Sequence, residues 1–255
     1  MVYWLTEWMP APIIMFMARI TGKTKLTAIE ERVQKEFIAS LHLDEGSKTS
    51  QQKIVAMVGL LSSGNSSVAR ALADALSAVV IEGEVIHTQL REAGGSQDRA
   101  WKIAENAALA ATERGKNVVL DADFIAVEKR KSLLHMAKDV GKDVFFVRVV
   151  CHLEMIDYRL LTASYPEGSF FSGANPTCEK LKEIWDTLDG NTRGMLIKKK
   201  EMQRRLLNHY QWKGGRHGGK LFLKKMTFVD FEIDTTNEKT WPAEAKHIAK
   251  QIRLR

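Results

Sequence analysis

From residue 54 onward the apolar residues of this chain fall into short unbroken runs, separated by longer stretches in which they recur every three or four positions. The runs are Ile54 to Val58, Val79 to Ile86 with a turn inside it, Val118 to Leu120, Val144 to Val150 and a final one from Phe228 to Ile233. A strand turns successive side chains to opposite faces, so a run without polar alternation predicts a strand covered on both sides. The intervening stretches have helical spacing: Val68, Leu72 and Leu76; Trp101 to Arg114 closed by Gly115; Val127 to Val140 closed by Gly141; and a last helix from about Pro242 to Ile252. Gly115 and Gly141 stand where the end of a helix calls for positive φ. Strand and helix in alternation predict an α/β fold, a parallel sheet of about five strands between two helix layers.

Ahead of this pattern, Thr27 and Glu30 have the spacing of a capping box, and Ile29, Val33, Phe37 and Leu41 follow at helical intervals. A helix over 28–42 is predicted, followed by a polar linker from Asp44 to Gln52. The chain therefore divides into a small helical N-terminal appendage with its linker, 1–50, and a main domain, 51–255. The apolar run from Tyr3 to Ile20 is broken by Glu7, Pro10 and Pro12, and about 20 uninterrupted apolar residues are needed to span a bilayer. It is expected to pack on the domain or a partner, with interfacial membrane contact through Trp4 and Trp8 beside Arg19, Lys23 and Lys25 as the alternative, and no transmembrane span or secretory signal is predicted.

The 255 residues carry a net charge of +7, and its placement matters more than its size. Ten Lys/Arg lie between Lys198 and Lys225 against the single acid Glu201. They belong to a basic lid or insertion at about 165–225, whose helix begins near Glu179. Tyr210, Trp212 and Phe222 interleave with its cations around a flexible loop holding Gly214-Gly215 and Gly218-Gly219. This composition suits a phosphorylated or nucleic-acid ligand, with rings stacking on bases and cations following phosphates. Cys151 and Cys178 are too few for a disulfide framework and read as reduced thiols of a cytoplasmic protein. The seven histidines, His209 among them, show no zinc-ligand spacing.

Candidate chemistry sits after the first strand, where Gly59-Leu60-Leu61-Ser62-Ser63-Gly64-Asn65-Ser66-Ser67 leads into a helix. The phosphate-binding P-loop is G-x-x-x-x-G-K-[ST], and Asn65 stands in place of its lysine. A buried strand before the loop and a helix after it are the context in which backbone N–H groups converge on phosphates.

With this motif the chain resembles P-loop kinases of the polynucleotide kinase, zeta-toxin and adenylylsulfate kinase kind, grouped as kinase-like AAA domains, over roughly residues 53–253. The resemblance implies a three-layer α/β/α P-loop NTPase with ATP and Mg2+ as cofactors. It assigns Gly59, Ser62, Ser63, Gly64, Asn65, Ser66 and Ser67 to the phosphates, Ser66 and Asp121 to the metal, and Arg159 to a lid helix from Glu154 to Thr162. The family's strand ending in an acid, with an arginine three residues on, aligns with Ile86 to Arg91. Thr88 then takes the acid's place and Arg91 fits beside the acceptor. A strand ending in aspartate, followed by a basic helix, matches Val118 to Asp123 with Lys129 and Arg130. Asp121 or Asp123 is then the candidate base, and Phe231 to Thr236 resembles the closing strand.

Phosphoryl transfer is mostly positioning and charge stabilisation, so losing the lysine weakens catalysis more than binding. The expectation is a nucleoside-triphosphate-binding kinase-like protein with phosphotransfer reduced or lost. An active kinase acting on a hydroxyl of a nucleotide, polynucleotide or small molecule is the alternative. A nucleic-acid-binding adaptor using the fold as scaffold is the second.

Overall fold

The first apolar run forms β1 (Lys53–Gly59), buried along its whole length as a central parallel strand must be. The computed structural model describes residues 26–45, 48–153, 155–156, 159, 206–215 and 218–255. Around β1 come α1 (Ala28–Ser40), α2 (Asn65–Leu76), β2 (Ala78–Glu82), α3 (Gly83–Glu92), α4 (Ala100–Glu113), β3 (Asn117–Asp121), α5 (Val127–Asp139) and β4 (Asp143–Val150). Later in the chain follow β5 (Tyr210–Gly215), β6 (Gly218–Leu223), β7 (Phe231–Asp234) and α6 (Trp241–Leu254). The main sheet has the order β2-β3-β1-β4-β7, and every pairing in it is parallel. Strand alternation divides β1 between two cores. Ile54, Ala56 and Val58 pack with α1, α3, α4 and α5, and Val55 and Met57 pack with α2 and α6. This is the three-layer α/β/α arrangement the sequence predicts.

The capping box of α1 is present: Thr27 Oγ1 accepts from Glu30 N at 3.3 Å, and Thr27 N donates to Glu30 Oε2 at 2.7 Å. Val33 and Phe37 are buried in the same core as Ile54, so α1 packs directly on the domain. Gly115 (φ 80°) and Gly141 (φ 64°) end their helices in the left-handed region.

Three elements differ from expectation. The run from Val79 to Ile86 is not one strand with a turn: β2 stops at Glu82 and α3 begins at Gly83. Ile86 and Leu90, four apart, are fully buried as a helical stripe, while Val85 points outward at 38% exposure. The last strand begins at Phe231 rather than Phe228, because Asp230 steers the chain into the sheet by accepting from Phe146 N at 2.8 Å. Phe228 instead packs edge-on against Phe146, at a centroid separation of 5.8 Å. The glycine-rich stretch is not an open loop but the antiparallel hairpin β5–β6. The run from Tyr3 to Ile20, Cys178, and residues 160–205, which hold much of the expected lid, lie outside the described residues.

Glu105, in the middle of α4, is fully buried and meets Lys102 Nζ at 3.0 Å and Ser132 Oγ at 2.8 Å. Burial raises its pKa above 4.5, with Lys102 and Ser132 opposing the shift. The folded state therefore holds this proton more tightly than the unfolded chain, and stability is lost as pH rises through the folded pKa. In urea unfolding between pH 5 and 8, Glu105→Gln should lack this loss, so its stability relative to the parent should climb with pH. A pH-independent difference would exclude the buried carboxyl as the source.

Candidate functional site

The chain runs from central β1 out to β2, back to β3, then across to β4 and β7, so the strand order reverses beside β1. Open parallel sheets bind ligands at such a point, beyond the carboxyl ends of the strands. A cleft of about 410 Å3 lies there. The loop after β1, from Gly59 to Ser67 without Ser63, forms one wall. The opposite side comes from Gly83, Glu84 and His87 of α3, from Asp121, Ala122 and Asp123 after β3, from Ile125, Ala126 and Lys129, and from Asn208.

The loop is shaped by two left-handed residues, Ser62 (φ 60°) and Gly64 (φ 98°). Such turns aim successive backbone N–H groups into one concavity. Gly64 is also the N-cap of α2 and no side chain caps that end, which leaves the first-turn N–H groups of a 12-residue helix to an anion. Asn65 folds back across the loop: its Nδ2 donates to Gly59 O at 3.0 Å, and Ser63 Oγ donates to its Oδ1 at 3.4 Å. A Cβ on Gly59 would lie 2.1 Å from Asn65 Oδ1, so the side chain uses the space glycine leaves. The amide ties the loop together but brings no positive charge to it.

Ser66 hydrogen-bonds the Asp121 carboxylate. Burial pushes the Asp121 carboxyl above its usual value; the Ser66 bond opposes this, Glu82 adds to it and Arg70 opposes it. A carboxylate and a hydroxyl are hard oxygen donors of the kind magnesium takes while keeping several waters, and a cation would relieve the buried charge. The donor set fits magnesium, as the amide nest fits phosphate. Among the described residues there is no group of three or more His, Cys, Asp or Glu able to hold a metal ion.

Asp123 reaches the same cleft with both oxygens committed. Oδ1 accepts from Ile125 N at 3.2 Å, and Oδ2 lies 3.3 Å from His209 Nε2. His209 is itself only 2% exposed, and its carbonyl accepts from Lys224 N at 2.9 Å and Arg148 Nη2 at 3.2 Å. Arg148 Nη1 donates to Lys224 O at 2.7 Å and meets Glu232 Oε2 at 3.2 Å. The guanidinium, buried inside β4, thus rivets the root of the hairpin to the sheet and sets His209 against Asp123. Nothing in the sequence marked Arg148 or His209, which come together from positions 61 residues apart.

Thr88 and Arg91 do not line the cleft; with β2 ending at Glu82, both belong to the second half of α3. The acid and the basic residue three positions on that do line it are Glu84 and His87. Glu84 is an acid on this wall, four residues before Thr88. Arg159 lies against the loop outside the main cleft. Its Nη2 donates to Thr235 O at 2.8 Å, while Nη1 lies 3.2 Å from Thr235 Oγ1 and 3.4 Å from Ser63 O. Thr235 Oγ1 also donates to Ser63 O, so the closing strand supports the loop. A second cavity of about 430 Å3 lies on this side, between Ser62, Gly64, Ser67, Arg159, Thr235, Glu238 and Trp241. Lys129, with Nζ 3.4 Å from Asp123 O, is the one Lys or Arg among the described residues lining the main cleft.

Residues 54–166 match the model of an AAA domain family. Among solved structures, a protein named APE1195 aligns over 82% of this chain and 98% of its own, at 16% identity and a TM-score of 0.52. The Mycobacterium tuberculosis APS kinase CysC, in complex with AMPPNP and APS, aligns over 80% and 99%, at 16% identity and a TM-score of 0.48. A gluconokinase from Sinorhizobium meliloti 1021 aligns over 81% and 98%, at 19% identity and a TM-score of 0.42. No curated protein matches the sequence. Sheet order and loop are those of a P-loop α/β/α fold, and the AAA domain match runs from β1 to just beyond β4. Among the described residues no helix is long and apolar enough to cross a membrane.

Proposed function

We propose that this chain binds a nucleoside triphosphate, ATP by the family it resembles, together with magnesium, and that its phosphotransfer is reduced or lost. The carrying observation is Asn65, whose side chain is hydrogen-bonded to Gly59 O across a loop otherwise shaped for phosphate. The loop amides and the α2 N-terminus hold the phosphates, and Ser66 with Asp121 holds the metal, which when bound would neutralise phosphate charge. The second cavity gives the rest of the nucleotide room beyond the loop. Glu84 and Asp123 face the acceptor side, Asp123 kept in one orientation by His209. Within the loop itself Asn65 stands in the cation's place, and a neutral amide donates bonds about half as strong as charged ones. The reading puts the protein in the cytoplasm, in keeping with Cys151 as a buried free thiol.

One observation favours the alternative, an active kinase with its cation supplied from outside the loop: Lys129 lines the same cleft. Thermal unfolding with ATP and magnesium, beside a measurement of ADP formed, separates the two. Ligand at a hundred times its Kd contributes about 2.7 kcal/mol, which raises Tm by about 5–10 °C in a domain of this size. The expected result is a shift of that order, no ADP above background, and ADP formation gained by Asn65→Lys. ADP formed by the natural protein and abolished by Lys129→Met would establish the alternative. Absence of a shift with ATP or GTP in every variant would overturn both.

A further inference from the structure

The hairpin β5–β6 takes no part in the cleft beyond its root, yet its outer face has a definite chemistry. Strand alternation sorts its side chains. Tyr210, Trp212, Leu221 and Leu223 pack into a small core with Leu60, Cys151, Ile156 and Leu206. The other face carries Gln211 and Lys213 on β5, directly opposite Phe222 and Lys220. Lys213, Lys220 and Phe222 are all exposed, Phe222 at 46%. Lys213 Nζ lies 5.2 Å from the centre of the Phe222 ring.

Two features of this face are unfavourable in the free protein. Lys213 and Lys220 are cross-strand partners, and like charges directly opposite each other destabilise a sheet. Among the described residues neither lysine has an acidic partner. Phe222 is the one large aromatic among the exposed large hydrophobics of the described residues. An anion between the lysines and a flat ring against Phe222 remove both penalties at once. Lys220 and Phe222 stand two residues apart on one strand face, roughly 7 Å at a strand rise of about 3.4 Å per residue. A nucleotide's phosphate and its base span a comparable distance.

The electrostatics of the whole chain point the same way. The segment from Lys198 to Lys225 has ten cations and one acid, more positive charge than the net +7 of the entire protein, so the remainder is slightly acidic. Attraction of a polyanion is thereby focused on the segment that contains the hairpin. We propose that the outer face of β5–β6 is a binding site for single-stranded nucleic acid, with Lys213 and Lys220 on the phosphate backbone and Phe222 stacked on a base. The site is independent of the nucleotide cleft.

The test is fluorescence anisotropy of a labelled 20-nucleotide oligo(dT), and the equivalent oligo(U), titrated with the full chain across a range of salt. Lys213→Ala/Lys220→Ala should weaken binding at least tenfold and reduce the salt slope by about 1.4, since each phosphate contact on a single strand contributes about 0.7. Phe222→Ala should weaken binding about tenfold with the slope unchanged, a base–ring stack being lost, and Phe222→Tyr should restore it. Lys246→Ala/Lys250→Ala removes the same charge from exposed positions on α6 and should leave affinity within about twofold. All variants should keep the parent's response to ATP and magnesium, which separates this site from the cleft. The proposal is overturned by no binding of either oligonucleotide, by equal losses in the two double-lysine variants, or by sedimentation with phosphatidylserine vesicles when oligonucleotide is not bound.

Discussion

Gly64→Val abolishes the thermal shift produced by ATP and magnesium. Gly64 has φ 98°, a conformation in which a β-branched residue is strained by about 1–3 kcal/mol. Its new Cβ would stand 3.3 Å from Thr235 Cγ2, and Thr235 is itself bonded to Ser63 O, so neither neighbour yields freely. The loop must move, and with it the N–H groups at the entry to α2. Gly94→Val is the control: φ there is 71°, and nothing lies within 4 Å of an added Cβ. Both variants should lose stability to urea by comparable amounts, but only Gly64→Val should lose the response to nucleotide. Retention of the full shift in Gly64→Val would mean that the loop does not hold the ligand.

The second large effect belongs to Arg148. Arg148→Ala should cost on the order of 3 kcal/mol, because it empties a filled site in the core and removes the donor to the half-buried Lys224 carbonyl and one donor to the buried His209 carbonyl. Arg148→Met keeps most of the volume and discards a charge that is expensive to bury, so about 1–1.5 kcal/mol is expected. Urea midpoints give the two costs. Hydrogen exchange adds the structural readout: amides from Tyr210 to Leu223 should exchange faster in Arg148→Ala, as the hairpin root comes away from β4 and His209 loses its place against Asp123. Equal destabilisation by Ala and Met, with exchange confined to β4, would show that Arg148 serves the sheet alone.

Much of this architecture is legible in the pattern of residues. Val55 and Met57 are as apolar as their neighbours Ile54, Ala56 and Val58, which is only sensible for a strand covered on both faces. The glycines after α4 and α5 mark their ends because positive φ is costly for other residues. Gly59 and Gly64, five positions apart, announce the phosphate loop, and the order of elements around it implies a parallel sheet. Runs that cross a boundary were less informative. Val79 to Ile86 reads as one apolar stretch, although a strand and a helix share it, since burial in either element selects the same side chains. That ambiguity turned attention to Thr88 and Arg91 rather than to Glu84 and His87, which line the cleft.

What sequence alone determined, then, was the class: local periodicity and turn chemistry suffice for elements, their order, and a loop that must sit at the end of a strand. Tertiary structure decided which side chains meet. Asn65 reads as a missing lysine and proves to be a tie across its own loop. Arg159 reads as a lid cation and meets Thr235 and Ser63 O on the wall of the second cavity. Arg148, His209 and Asp123 lie on three segments whose separation along the chain hides their connection. Hydrogen bonds depend on direction and distance over a few ångströms, and such distances between remote segments exist only once the sheet has brought β3, β4 and the hairpin root together.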